Sequence, residues 1–573
     1  MSFGEVCISD ILSGLARGWS QHCIFLFVLC ALMASVTVLT GNLCTGPRLV
    51  DDVQVYELHD EISRKGVFPT LKRQIDTRTN KGRYVVVFLF EKVAKSCLYG
   101  INLKLWKVHV AILGTLAGLF LYAFAFQVGH TRFEAALFSL VIITGPQSVA
   151  WVRLIHGEGL GLVFFSLALL LLPLRVRNHR HPWLFDLGIL ACLALASLSK
   201  ESFLLTIPAV IFLRCMLISR QPGQSLWLSF KNSKVVLSLL GGAGVLLIFS
   251  ASTLIDHFRR WYVGWNEFEF ERLRHTLTEF VDSLTIWPIT ALFGLLIAAA
   301  LWLHPERSTL RSVGRQLMLY GVCAAAHVIP QILLYYKLGF SSDHHPTLSL
   351  PRYLLPMIVG YALILVVLLR SFRKLRSGTA IRRMSLAWGV LVLIPMVLAS
   401  LLFLNQLTKA FDENSRFAQR TESENRVLDL IKFDAQTRDP ILLVYDEQDG
   451  SFRRRMGTLL RYYLNRHNLL FYPIKTGSSL PLKRAGEIRA NTRQRLEESG
   501  SLPRVVLLQN KKKISAIFHA QTKDWFPLED FHDYQSKNLT EVRILTQTHR
   551  QATTLPRFLG SPSDSRGECQ PLD

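Results

Sequence analysis

Residues 22–40 read HCIFLFVLCALMASVTVLT, and the acidic pair Asp51-Asp52 stands a short way beyond them. The run holds no Asp, Glu, Lys or Arg and is close to the ~20 residues that a helix needs to cross ~30 Å of hydrocarbon. No small-residue cleavage pattern follows it cleanly, so it reads as an anchor rather than a removed leader. Carboxylates at the edge of such an anchor lie at a membrane surface and take no part in core packing. They open a segment, 41–107, that is too long for a simple connection and is expected to be functional or a small domain of its own.

The rest of the chain repeats the pattern. Apolar runs near 108–126, 133–152, 157–174, 184–199, 202–218, 235–255, 285–303, 316–336, 353–369 and 384–404 bring the expected spans to eleven. Half of the residues are hydrophobic and only 19% are charged, against ~25% in an ordinary soluble domain. The expected fold class is therefore an α-helical polytopic membrane protein. A net charge of +23 would also suit nucleic acid, but the excess sits in loops between spans and in the segment after the first one. Membrane lipids or an anionic lipid substrate are the better partners, and nucleic acid is not expected.

Orientation follows from the basic loops, because short loops rich in Lys and Arg stay on the cytoplasmic side. Residues 175–183 carry Arg175, Arg177 and Arg180, and 370–383 carry Arg370, Arg373, Lys374, Arg376, Arg382 and Arg383. Residues 214–234 and 304–315 add four and three more. All four loops have the same parity. The amino terminus is thus expected in the cytoplasm, with Asp51-Asp52 and everything after residue 405 outside.

Beyond 404 the apolar runs stop. ILLVY, 441–445, is bounded by Asp439-Pro440 and Asp446-Glu447 as buried strands are, and Leu469–Tyr472 and Arg504–Leu508 are two further strand candidates. Gly457–Asn465 has helical spacing. Strand, helix, strand order favours a small parallel sheet. We therefore expect a transmembrane domain over 1–404 that includes the first outer loop, an extracytoplasmic α/β domain over 405–558, and a disordered Ser-, Pro- and Gly-rich tail over 559–573. The nine cysteines show no metal-ligand spacing, and a Cys44–Cys97 disulfide stays open.

Several motifs punctuate this frame in order. Asp51-Asp52 is followed by Tyr56, Glu61 and Gly66, then by Lys81-Gly82-Arg83-Tyr84. Gly145-Pro146, Arg153 and His156-Gly157-Glu158 come next, then Leu198-Ser199-Lys200, and finally Pro351-Arg352-Tyr353-Leu354-Leu355-Pro356. Together they resemble the GT-C glycosyltransferases, nearest the lipid A aminoarabinose transferases and the protein O-mannosyltransferases, over roughly residues 20–400. The chain departs from that pattern at Asp52, where Glu is commoner, and at Gly82-Arg83, where the family has two prolines after its lysine.

The resemblance implies a sugar carried by a polyprenyl-phosphate donor and passed, with inversion, to an extracytoplasmic lipid, glycan or protein. Asp51 would be the catalytic base and Asp52 its partner. Lys81, Arg352 and Lys200, with Arg259 or Arg260, would stabilise the phosphate leaving group. Arg83, Tyr56, His156, Glu158 and Tyr353 complete the expected substrate contacts. No cofactor is expected. A divalent ion stays open, because Asp343-His344-His345 has ligand chemistry but no supporting spacing. The host membrane implied is the inner membrane of a bacterium. Two other classes fit the same residues: a non-catalytic scaffold that binds lipid-linked sugar, and a lipid or sugar transporter, although no internal repeat supports the latter. Plainer roles also stand beside the implied ones, among them a Lys200–Glu201 ion pair at an interhelical turn and a snorkelling Arg352.

Overall fold

The computed structural model describes residues 19–47, 52–79, 83–177, 181–219, 307–337, 355–376 and 385–434. Beyond these it describes 440–446, 450–462, 468–474, 483–499, 505–509, 512–522, 531–534 and 542–547, with a few isolated positions. The expected spans at 235–255 and 285–303, and the tail 559–573, lie outside the described residues. The chain divides into two compact units. One holds residues 1–43, 66–98 and 104–417, and the other holds 44–65, 99–103 and 418–573.

The first unit is helical. Its described helices are α1 (Trp19–Leu39), then, after α2 (Val53–Lys65) of the second unit, α3 (Val67–Thr79), α4 (Val86–Tyr99), α5 (Leu103–Gln127) and α6 (Arg132–Ile143). There follow α7 (Glu158–Arg177), α8 (Pro182–Ser199), α9 (Ile207–Ile218), α10 (Arg307–Lys337), α11 (Leu355–Arg376) and α12 (Ser385–Asp434). Five described segments are long and apolar enough to cross a membrane: His22–Leu39, Leu103–Gln127, Glu158–Arg177, Pro182–Ser199 and Glu201–Ile218. This is a helical membrane protein. Leu355–Ser371 is a further, shorter apolar helix.

The sequence expects one continuous span over 133–152, and the structure breaks it. A capping box at Thr131 and Glu134 starts α6, but the helix ends at Ile143, and Gly145 takes φ +93. A left-handed residue followed by Pro146 cannot continue an α-helix. The chain instead makes a 3-10 turn, Pro146–Trp151, pinned where the Trp151 indole donates to the Ile143 carbonyl at 2.9 Å. The expected sixth span likewise begins as a 3-10 turn, Glu201–Thr206. The 41–107 segment is not an open loop, since it contains α2, α3 and α4.

Two ends of the bundle can be told apart. At one, Asp186 near the start of α8 accepts two bonds from Arg214 of α9, at 2.7 and 2.8 Å, with Arg175 of α7 at 3.4 Å. Arg177 also donates to the Gln127 carbonyl at the end of α5. Arg370 and Arg373 of α11 reach the Val128 carbonyl and Glu134. The other end carries the start of α7 and the end of α8.

The second unit includes α2 (Val53–Lys65) and the last part of α12. The composition boundary at 405 falls inside α12, which runs unbroken to Asp434. Five strands follow: β1 (Ile441–Asp446), β2 (Leu469–Ile474), β3 (Val505–Gln509), β4 (Phe531–Tyr534) and β5 (Val542–Gln547), in spatial order β2-β1-β3-β5-β4. β1 pairs parallel with β2 and β3, and the expected parallel sheet ends there, because β5 and β4 add antiparallel. Side chains alternate across the sheet. Ile441, Leu443 and Tyr445 pack with Leu459 and Leu460 of α13 (Gly450–Tyr462) and with Val53 and Tyr56 of α2. Leu442 and Val444 face Leu496 of α14 (Lys483–Ser499) and Phe518 of α15 (Lys512–Thr522).

Candidate functional site

At the α7-start end, residues far apart in sequence meet as ion pairs. Glu158 is the first residue of α7, where the helix dipole favours a carboxylate, and its side chain is only 2% exposed. Lys200, just past the end of α8, places Nζ 3.1 Å from Glu158 Oε1. His156 Nδ1 stands 4.0 Å from the other carboxylate oxygen. Next to Lys200, Glu201 takes the Arg83 guanidinium in a forked contact at 2.8 and 3.3 Å. The expected Lys200–Glu201 pair is therefore replaced. Adjacent residues of opposite charge turn apart, one to α7 and the other to the segment before α4.

Close backbone approach makes this possible. A Cβ at Gly157 would collide with the Ser199 carbonyl oxygen and press on Phe88 of α4 at 3.3 Å. Glycine thus lets the 154–158 segment lie directly against the end of α8, within reach of Lys200. The Lys95 ammonium of α4 donates to the Leu154 carbonyl at 3.2 Å and pairs with Glu91 at 2.8 Å. It also sits 4.9 Å over the Trp106 ring. His109 of α5 reaches the same Glu91 oxygen at 3.2 Å. Arg153 stacks on Phe417 at 5.3 Å, and Gln331 of α10 donates to the Ser202 carbonyl at 2.6 Å.

Charge bookkeeping limits what this end can do. Among the described residues Glu158 faces Lys200 and Glu201 faces Arg83, so each of these cations already meets a carboxylate. What they supply is rigidity and fixed dipoles at a helix junction, with His156 adding charge when protonated.

Of the expected site residues, Arg83, His156, Glu158 and Lys200 are brought together. Asp52 and Tyr56 belong to the second unit. Asp52, expected at a surface and outside any packed core, is instead buried directly before α2, and Tyr56 packs into the sheet core. Asp51, Lys81, Arg259, Arg352 and Tyr353 lie outside the described residues. Sequence reasoning missed Glu91 and Lys95, since charges on an isolated short helix read as a solvated face, and His109, which stands at the start of an apolar run. Their signal was the apolar spacing between them.

Among the described residues no group of three or more His, Cys, Asp or Glu side chains is placed to hold a metal ion. Asp343-His344-His345 lies outside them. Cys97 carries a free thiol, so the Cys44–Cys97 bridge is not formed, while Cys44 itself is disulfide-bonded. No model of a known protein family matches the chain, and no curated protein matches it.

Proposed function

We propose that the chain is an integral membrane glycosyltransferase that moves a sugar from a polyprenyl-phosphate donor to an extracytoplasmic acceptor. The observation that carries this reading is that three separate motifs, Arg83, His156 to Glu158 and Lys200, come together in two neighbouring ion-pair groups at one end of the helices.

In this reading the acceptor hydroxyl or amine gives its proton to Asp51 as its heteroatom bonds the anomeric carbon from the face opposite the phosphate. The bond from that carbon to the phosphate oxygen breaks, and polyprenyl phosphate leaves. Phosphate needs cations more than a strong acid. In this reading Lys81 and Arg352 meet the phosphate charge, while the paired Arg83 and Lys200 hold the junction in shape. Asp52 orients the acceptor or raises the pKa of its neighbour.

The same reading puts the α7-start end outside, the amino terminus in the cytoplasm, and the sheet unit in the periplasm of a bacterial inner membrane, with eleven spans in all. Two features support it. Arg175, Arg177, Arg214, Arg370 and Arg373 gather at the opposite end, as cytoplasmic arginines do. The disulfide at Cys44 suits an oxidising compartment.

Donor binding tests the assignment. Lys81→Ala and Arg352→Ala should each weaken affinity for a polyprenyl-phosphate sugar by roughly 1.5–3 kcal/mol, the scale of a charge-assisted hydrogen bond. Unchanged affinity in both variants would place the phosphate elsewhere.

A further inference from the structure

Helix α4 is built the wrong way round for water. Val87, Phe90, Ala94, Cys97 and Leu98 recur at three- and four-residue spacing and so share one face. Phe90 is 63% and Leu98 74% exposed, and Cys97 is exposed as well. The opposite side carries Lys92 and Lys95, each 2% exposed, and Ser96 at 1%, beside the buried Phe88, Leu89 and Val93. A helix in water would bury Phe90 and expose the lysines.

We propose that α4 is a lipid-inserted helix whose Phe90, Cys97 and Leu98 face contacts the acyl chains of one leaflet, without crossing the bilayer. Its 14 residues span only ~21 Å at ~1.5 Å per residue, short of the ~30 Å of hydrocarbon. The polar side is satisfied inward: Lys95 by Glu91, the Leu154 carbonyl and the Trp106 ring, and Glu91 also by His109. Those contacts seat α4 on α5, a candidate span whose exposed side chains beyond Lys104 at its start, Leu105, Val108, Ile112 and Leu116, are apolar. The apolar face of α4 therefore continues a surface that a span must turn to lipid, and the contact with Leu154 fixes its leaflet as that of the α7-start end. A protein partner would have to cover this face inside the belt of the spans.

This inference needs only the membrane class of the protein and stands apart from the transfer reaction. The test is nitroxide labelling of the full chain in vesicles of phosphatidylethanolamine and phosphatidylglycerol. Cys97 is native and serves as the first label site, with the other free cysteines replaced by Ser. Phe90→Cys and Leu98→Cys extend the face, Ile112→Cys is the lipid reference, and Glu487→Cys on exposed α14 is the water reference. Collision with dissolved oxygen should exceed collision with an aqueous nickel chelate several-fold at 90, 97, 98 and 112, and the order should reverse at 487. Nickel dominance at 97, or shielding from both reagents at 97, would overturn the proposal, the first by placing the face in water and the second by placing it under protein.

Discussion

Replacing Glu158 by Gln keeps the shape of the side chain and removes the charge that faces Lys200. At 3.1 Å the Coulomb attraction between the two groups is ~5 kcal/mol at an effective dielectric constant of ~20. Desolvation of both ions offsets part of that, and a lone buried charge is costly, so removing one partner should destabilise by about 3 kcal/mol. Lys200→Met should cost a similar amount. The double variant leaves neither charge stranded and should therefore be less damaged than the sum of the singles by about 2 kcal/mol. The assay is a double-mutant cycle on equilibrium unfolding in mixed detergent and dodecyl sulfate micelles. Additivity within ~0.5 kcal/mol would refute the pairing and with it the account of how the helix junction is held.

Gly157→Ala should separate the 154–158 segment from α8, costing about 1–3 kcal/mol as overpacking does, and should raise proteolysis near Lys200; a variant as stable as the parent would contradict the close approach to the Ser199 carbonyl. Burial raises the Tyr472 pKa above the usual tyrosine range, with Arg489 and Arg493 pulling it back. A raised folded value means stability that is full below the unfolded pKa of ~10 and lost as pH rises through the folded one. Hydrogen exchange in β1–β3 should then accelerate above that range in the parent and less in Tyr472→Phe, and equal pH dependence would count against the burial. For topology, a reporter fused after Arg383 should read cytoplasmic and one at Gly450 external; both on one side would sink the eleven-span layout.

What the sequence made legible is what hydropathy alone encodes. The apolar runs at 22–40, 157–174 and 184–199 lie within a few residues of α1, α7 and α8, because run length is the physical requirement for a span. The run at 133–152 misled for the same reason: hydropathy sums over Gly145-Pro146, whereas the backbone cannot pass through it as helix. β1, β2 and β3 were readable as apolar runs between charged residues. β4 (FHDY), a four-residue edge strand, and β5 (VRILTQ), an inner strand that mixes Arg, Thr and Gln with its apolar residues, were not, since neither gives a clear period-two signal. In the site, His156, Glu158 and Lys200 were marked by motif. Which acid each base pairs with was not, because neighbours such as Lys200 and Glu201 suggest each other in one dimension and diverge in three.

In the proposed transfer reaction Asp51 is the base, and one variant tests that assignment most directly. Asp51→Asn keeps size and hydrogen bonding but removes the proton acceptor, so transfer from a polyprenyl-phosphate sugar should fall ~100-fold or more. Donor affinity should be retained, because a negative charge near the phosphate has been removed. The measurement is transfer rate and donor affinity on the same purified chain in bilayers: loss of rate with retained binding is the predicted result, and full transfer by Asp51→Asn would contradict the account.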